Sequence, residues 1–196
     1  MQKTVYTEQV GRLKVCVYEN RDRMGKAAAE FGAEAIKEVL ARKEMANVVF
    51  AAAPSQFELY EALIASDIDF TRVRAFHMDE YIGIDPQAPA GFGNLLRTRL
   101  FSKLPLAEVN YFNPQAEDPQ AECERMAELL KKYPPDVVFH GIGENGHLAF
   151  NDPPNAGTLT IRCLSRSSRW TTSAACSRCT TAASGRLTTC PSRRSP

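Results

Sequence analysis

Apolar positions fall into two patterns along this chain: short unbroken runs, and longer stretches in which they recur three or four residues apart. The first run, Leu13–Tyr18 (LKVCVY), reads as a strand. Met24–Met45 reads as a helix, because Ala28, Phe31, Ala35 and Val39, with Ile36 and Leu40, recur at helical spacing opposite Lys, Glu and Arg. Asn47–Ala53 (NVVFAAA) is a second buried strand, stopped by Pro54-Ser55-Gln56 and followed by a helix with Phe57, Tyr60 and Ile64 on one side. Arg72–His77 is a third strand. It leads into the long polar connection MDEYIGIDPQAPAGFG, and Phe92, Leu95, Leu96 and Leu100 mark the next helix. A short strand at Val109–Phe112, a helix at Pro119–Lys132 with Met126, Leu129 and Leu130 inward, and a strand at Pro135–Ile142 complete the pattern.

Strands that alternate with helices in this way predict a mostly parallel, doubly wound sheet in a three-layer α/β/α arrangement. In such sheets the carboxyl ends of the strands share one edge, where connecting loops meet. Three loops carry chemically capable side chains to that edge: Ser55 and Gln56; Asp79 and Glu80; Asn145, His147 and Asp152. The last is GIGENGHLAFNDPP, a glycine loop that delivers a histidine and is barred by Pro153-Pro154 from continuing as a helix.

Composition narrows the class. A chain of 196 residues with 44% hydrophobic and 24% charged residues is a soluble globular protein of about one domain. The net charge of +1 points to no nucleic-acid partner. The absence of a long apolar span or an apolar leader points to no membrane and to a cytoplasmic location. There is no internal repeat and no linker before residue 155.

The glycine loop admits several chemistries. Gly141-x-Gly143-x-x-Gly146 matches a dinucleotide fingerprint, yet no helix can begin there and no acidic residue follows at the ribose-binding distance. The three histidines, His77, His140 and His147, lie near strand ends without the short fixed spacing of zinc motifs, so no metal is expected. His77 and His140 read as packing residues. Proton transfer on a sugar phosphate fits best: His147 exchanges a proton near neutral pH, Asp79 is a candidate base, and Asp152 a candidate orienter of the imidazole. Backbone N–H groups of Gly143 and Gly146, and of Ser55 and Gln56 at a helix start, are candidate phosphate ligands. Glu80 reads as a solvated or structural carboxylate, Tyr81 and Phe150 as packing, and Asn151 as a turn cap.

FHMDEYIGI, GFGNLLRTRLF and GIGENGHLAFNDPP together resemble the glucosamine-6-phosphate deaminase/isomerase family, which includes relatives of 6-phosphogluconolactonase. The likeness runs in order over nearly all of residues 1–154. It implies a three-layer α/β/α fold and an enzyme that needs no cofactor, acting on a small sugar phosphate. It also implies site roles: the base that moves a proton between C2 and C1 falls on Asp79, the ring-opening histidine on His147, and its carboxylate partner on Asp152, where well-known deaminases have Glu. Asn145 stands where those deaminases have Asp; its amide accepts a hydrogen bond but brings no charge to an imidazolium. The loop after the second strand, Gly- and Thr-rich in those deaminases, is Ala52–Gln56 (AAPSQ) here. The resemblance therefore implies deamination and isomerisation of glucosamine 6-phosphate. A lactonase in which His147 activates water and a non-catalytic sugar-phosphate sensor are the alternatives. A homo-oligomer remains open.

From Asn155 onward the composition changes abruptly: seven Arg, no Lys, Asp or Glu, and 16 Ser or Thr among 42 residues. Cys163, Cys176, Cys179 and Cys190 include a C-x-x-C that invites a zinc-ribbon reading. A frameshift explains the segment better. Shifted by one base, codons for Thr158–Arg162 can read Asp-Phe-Asn-Asp-Pro, and later codons also restore an acidic, apolar segment of the family's kind. The expectation is an incomplete sugar-phosphate domain over 1–154, followed by an out-of-frame, disordered tail over 155–196.

Overall fold

The computed structural model describes residues 2–143 and 146–149. Among the described residues, six strands and four α-helices follow in order: β1 (Tyr6–Val10), β2 (Leu13–Val17), α1 (Arg21–Leu40), β3 (Ala46–Phe50), α2 (Phe57–Ile64), β4 (Val73–His77), α3 (Phe92–Arg99), β5 (Glu108–Asn110), α4 (Pro119–Lys132) and β6 (Val137–Phe139). β3, β4, β5 and β6 form one parallel sheet in the order β5-β4-β3-β6.

The predicted first strand is present but lies elsewhere. β2 pairs antiparallel with β1 in a separate hairpin, turned at Gly11 with φ +60. β1 escapes a hydrophobic reading because YTEQV is exposed along its whole length. The apolar run in β2 signalled a strand without revealing which sheet it joins.

Helix ends follow local chemistry. Asn20 Oδ1 accepts the Arg23 N–H at 3.0 Å and starts α1, and Asp118 Oδ1 accepts from Gln120 N at 2.8 Å ahead of Pro119 to start α4. The buried stripe of α1 runs through Gly25, Ala29, Gly32, Ala33, Ile36 and Leu40, one position round from the expected face. Phe31 is instead exposed, beneath the Lys14 ammonium. Small residues prevail on the stripe because α1 approaches closely: a Cβ on Gly25 would sit 2.5 Å from Glu58 Cβ, and one on Gly32 would sit 2.3 Å from the Phe139 ring.

Two apolar clusters make the layers. Ile36, Leu59, Leu63, Leu96 and Leu100 from α1, α2 and the end of α3 cover Val48, Phe50, Val73 and Ala75 on one face. Met126 and Leu130 of α4 cover Val49 and Phe76 on the other. The division follows the strand order. From β3 to β5 the chain steps across the sheet in one direction, with α2 and α3 on one side. It then returns past β3 to β6, and a right-handed crossover in the reverse direction puts α4 on the opposite side. Where the order reverses, between β3 and β6, the following loops diverge and leave a crevice.

Candidate active site

That crevice is a cleft of about 150 Å³. Its walls are Ala51–Ala53 and Ser55 after β3, Met78 and Asp79 after β4, and His140–Gly143, His147 and Ala149 after β6, with Phe92 of α3. Each wall has a backbone cause. Ala51 N donates to Phe139 O at 3.0 Å and Met78 N to Phe50 O at 3.2 Å, so the three strands end level and release their loops together. Behind the first loop, the Tyr60 hydroxyl donates to Ala51 O at 2.5 Å and the Arg21 guanidinium to Pro54 O. Burial pushes the Tyr60 phenol far up and keeps it a donor.

Ser55, Asp79, Gly143 and His147 thus share one cleft, although they come from three separate loops. Asp79 is only 8% exposed. Gln56 behaves differently from the expectation: it is buried beside Gly141, and its backbone N–H donates to Ala53 O at 2.9 Å rather than facing the cleft. The glycine amides are also engaged within their own loop. Gly143 N donates to His147 O at 3.0 Å and Gly146 N to Gly143 O at 2.9 Å, which closes a tight turn. Gly146 holds φ +78 there, a conformation suited to glycine. Gly143 is needed for a different reason: the His147 ring lies over it, and a Cβ would stand 2.2 Å from His147 Cε1. Asn145 and Asp152, with Phe150, Asn151 and the tail from 155, lie outside the described residues.

The structure adds one residue and explains three others. His140, read as a packing residue, is half-buried and lines the cleft with His147. Its pKa is held down by burial and by the neighbouring His147 charge, against an opposite pull from the Gly141 backbone. The signal available in sequence was its place one residue past a strand end. His77 packs in the strand as expected, edge-on to Tyr111 and Phe112, and burial drives its pKa to about 3. The Glu80 side chain is only 5% exposed, not solvated, and Tyr81 packs on Phe92 with ring centroids 4.9 Å apart. Among the described residues no three His, Cys, Asp or Glu side chains group to hold a metal, and no helix is long and apolar enough to cross a membrane.

The family described as glucosamine-6-phosphate isomerases/6-phosphogluconolactonase matches residues 19–187. The chain belongs to this family. Glucosamine-6-phosphate deaminase of Lactobacillus delbrueckii subsp. bulgaricus is 34% identical over 141 residues, which cover 72% of this chain and 58% of that protein. The deaminase of Streptococcus pneumoniae serotype 4 is 33% identical over the same shares. Among solved structures, a monomeric glucosamine-6-phosphate deaminase superposes with a TM-score of 0.63 at 26% identity, over 70% of this chain and 58% of that one. The 6-phosphogluconolactonase of Shewanella baltica superposes at 0.64 and 22% identity, over 73% and 64%, a likeness of fold. The chain thus spans 58% of the length of these curated deaminases. The family's members named here are enzymes, deaminases and lactonases acting on sugar phosphates.

Proposed function

We propose that the chain deaminates and isomerises an amino-sugar phosphate, converting glucosamine 6-phosphate and water to fructose 6-phosphate and ammonia. The observation that carries this reading is the meeting of Asp79 and His147 in one cleft where the strand order reverses. Relatives named for that deamination support it.

His147 takes the proton of the anomeric hydroxyl and returns it to the ring oxygen as the C1–O5 bond breaks, leaving an aldehyde. Asp79 removes the proton from C2, the electron pair forms the C1–C2 double bond, and O1 takes a proton from the substrate's own ammonium group to give the enolamine. The same carboxyl delivers the proton to C1, which leaves an imine at C2. Water adds to C2 and ammonia departs, giving the ketose. Amine and carbonyl both belong to the substrate, so the sequence of steps needs no cofactor. Ser55 and the start of α2 would face the phosphate, and Asn145 and Asp152 would flank His147. Residues 1–154 would form the sugar-phosphate domain.

Incubating the full chain with glucosamine 6-phosphate tests the reading: ammonia is released, and Asp79→Asn lowers the rate by about 10²–10⁴-fold, the scale of a lost general base. Hydrolysis of 6-phosphogluconolactone without ammonia release would replace it with a lactonase. Ligand-dependent thermal stabilisation without any product would replace it with a sensor.

A further inference from the structure

Glu80 adjoins the candidate base, its side chain is only 5% exposed, and among the described residues no Lys or Arg pairs with it. Its Oε1 accepts from Tyr81 N and from Phe92 N, both at 3.0 Å, and its Oε2 accepts from Gly93 N at 2.8 Å. The basic side chain that approaches it is His77, whose Nε2 is 3.9 Å from Oε2. Burial keeps the His77 ring neutral at physiological pH. A buried carboxylate is expensive unless its lone pairs are met. Here backbone amides meet them, two of which belong to the first turn of α3, where the helix also presents the positive end of its dipole.

The arrangement ties two remote segments together. Regular structure ends at His77 and resumes only at Phe92. In between, Gly83 N donates to Pro114 O at 2.7 Å, beyond Asp79 in the chain. Glu80 makes the tie next to the base. The GFG of the sequence fits this tie: a Cβ on Gly93 would stand 3.3 Å from both Glu80 Oε2 and His77 Cε1, so a side chain there would crowd the carboxylate off the amide. Phe92, whose N–H is one of the three donors, also lines the cleft together with Asp79.

We infer that Glu80 is a positioning residue which clamps the Asp79 loop to the start of α3 and so fixes the base against C2 of the substrate. The inference rests on the deaminase reading above. Glu80→Gln removes the charge and puts an amide NH₂ where a second oxygen faces an N–H donor, so at least one tie is lost. The binding groups at Ser55 and the start of α2 are untouched.

Steady-state ammonia release from glucosamine 6-phosphate by the full chain, normalised to the folded fraction, tests the clamp. E80Q is expected to lose tenfold or more in kcat with KM within twofold of wild type. Deuterium at C2 of the substrate should slow E80Q at least as much as it slows the wild type, because proton abstraction is the impaired step. A merely structural role lowers the folded fraction and leaves the rate per folded molecule and the isotope effect alone. If E80Q does not fold, Glu80→Asp, which keeps the charge but is one methylene shorter, is expected to show the same split. A kcat per folded molecule within threefold of wild type, or a loss carried by KM alone, overturns the clamp while leaving the deaminase reading intact. A wild-type chain that releases no ammonia overturns both.

Discussion

The imidazole of His147 rests on the α-carbon of Gly143, so closely that a methyl group there would come within 2.2 Å of Cε1 and 2.5 Å of both ring nitrogens. The ring's position is therefore set by the absence of a side chain four residues earlier, and by the Gly143 N–H to His147 O bond that folds the loop back. Gly143→Ala must move the ring. A displacement of about 1 Å costs on the order of 10²-fold in turnover. Ammonia release should fall by that order while the melting temperature, set mainly by the apolar clusters on the two faces of the sheet, changes little. Wild-type turnover in this variant would show that the ring's seat on Gly143 is not the productive one.

His77 gives the fold a sensitivity to acid. Its folded pKa, about 3, lies well below the ordinary value of 6.5 that it regains on unfolding. The unfolded chain therefore binds the extra proton between those values, and stability present above pH 6.5 is lost as pH falls towards 3. The slope approaches about 1.4 kcal/mol per pH unit. His140, also depressed, adds in the same direction. The paired carboxylates Glu58, Glu108 and Glu122 begin to contribute only near and below their ordinary 4.5. Urea unfolding at pH 6.5 and pH 5 should show the loss in the wild type, and His77→Leu should remove most of it. An equal slope in the variant would assign the acid sensitivity elsewhere.

Gly32 sets the distance between α1 and β6. An added methyl would meet Phe139, which is stacked on Phe50 with centroids 5.2 Å apart and cannot move freely. Gly32→Ala should cost about 1–3 kcal/mol, as overpacking of a fitted core does. Denaturant midpoints measure this directly. Because Phe139 is followed at once by His140, the same variant should also weaken sugar-phosphate binding, whereas an unshifted midpoint would mean that the helix slides to make room.

Sequencing the coding DNA addresses the tail. The proposal is a lost or gained base near the Ala156–Gly157 codons, and the corrected frame should restore acidic residues after Pro154. A clean read that supports Gly157–Pro196 in frame would refute it.

The parallel sheet and its flanking helices were legible because buried strands such as NVVF are continuous apolar runs and the helices between them are amphipathic. The hairpin was half legible: LKVCV is apolar, but an antiparallel partner of mixed polarity gives no periodic signal. The rotation of α1's buried face was hidden because a glycine–alanine stripe buries well only where a neighbour approaches closely, which is a property of the neighbour. At the site, residue types and strand-end positions pointed to Asp79, His147 and Ser55. The sequence could not show that the Gly143, Gly146 and Gln56 amides bond within their own loops, because that depends on turn geometry. Nor could it separate His140 from core histidines, since a residue one step past a strand can face either way.

The strand order also governs when the cleft can exist. β6 lies beside β3 and not beside β5, and the contact that seals the pair, Asn47 N to Asp136 Oδ2, spans 89 residues of chain. Pairings of such separation are slow to form because a long loop must close before any contact rewards it. During synthesis the segment through β5 can collapse with half of the cleft's wall missing. Of the described strands β6 emerges last, and it is the one that brings His140 and His147 to Asp79. Assembly of the reactive groups thus waits on the β3–β6 pairing, and a chain stalled before β6 would hold the β3, β4 and β5 layer without His140 and His147.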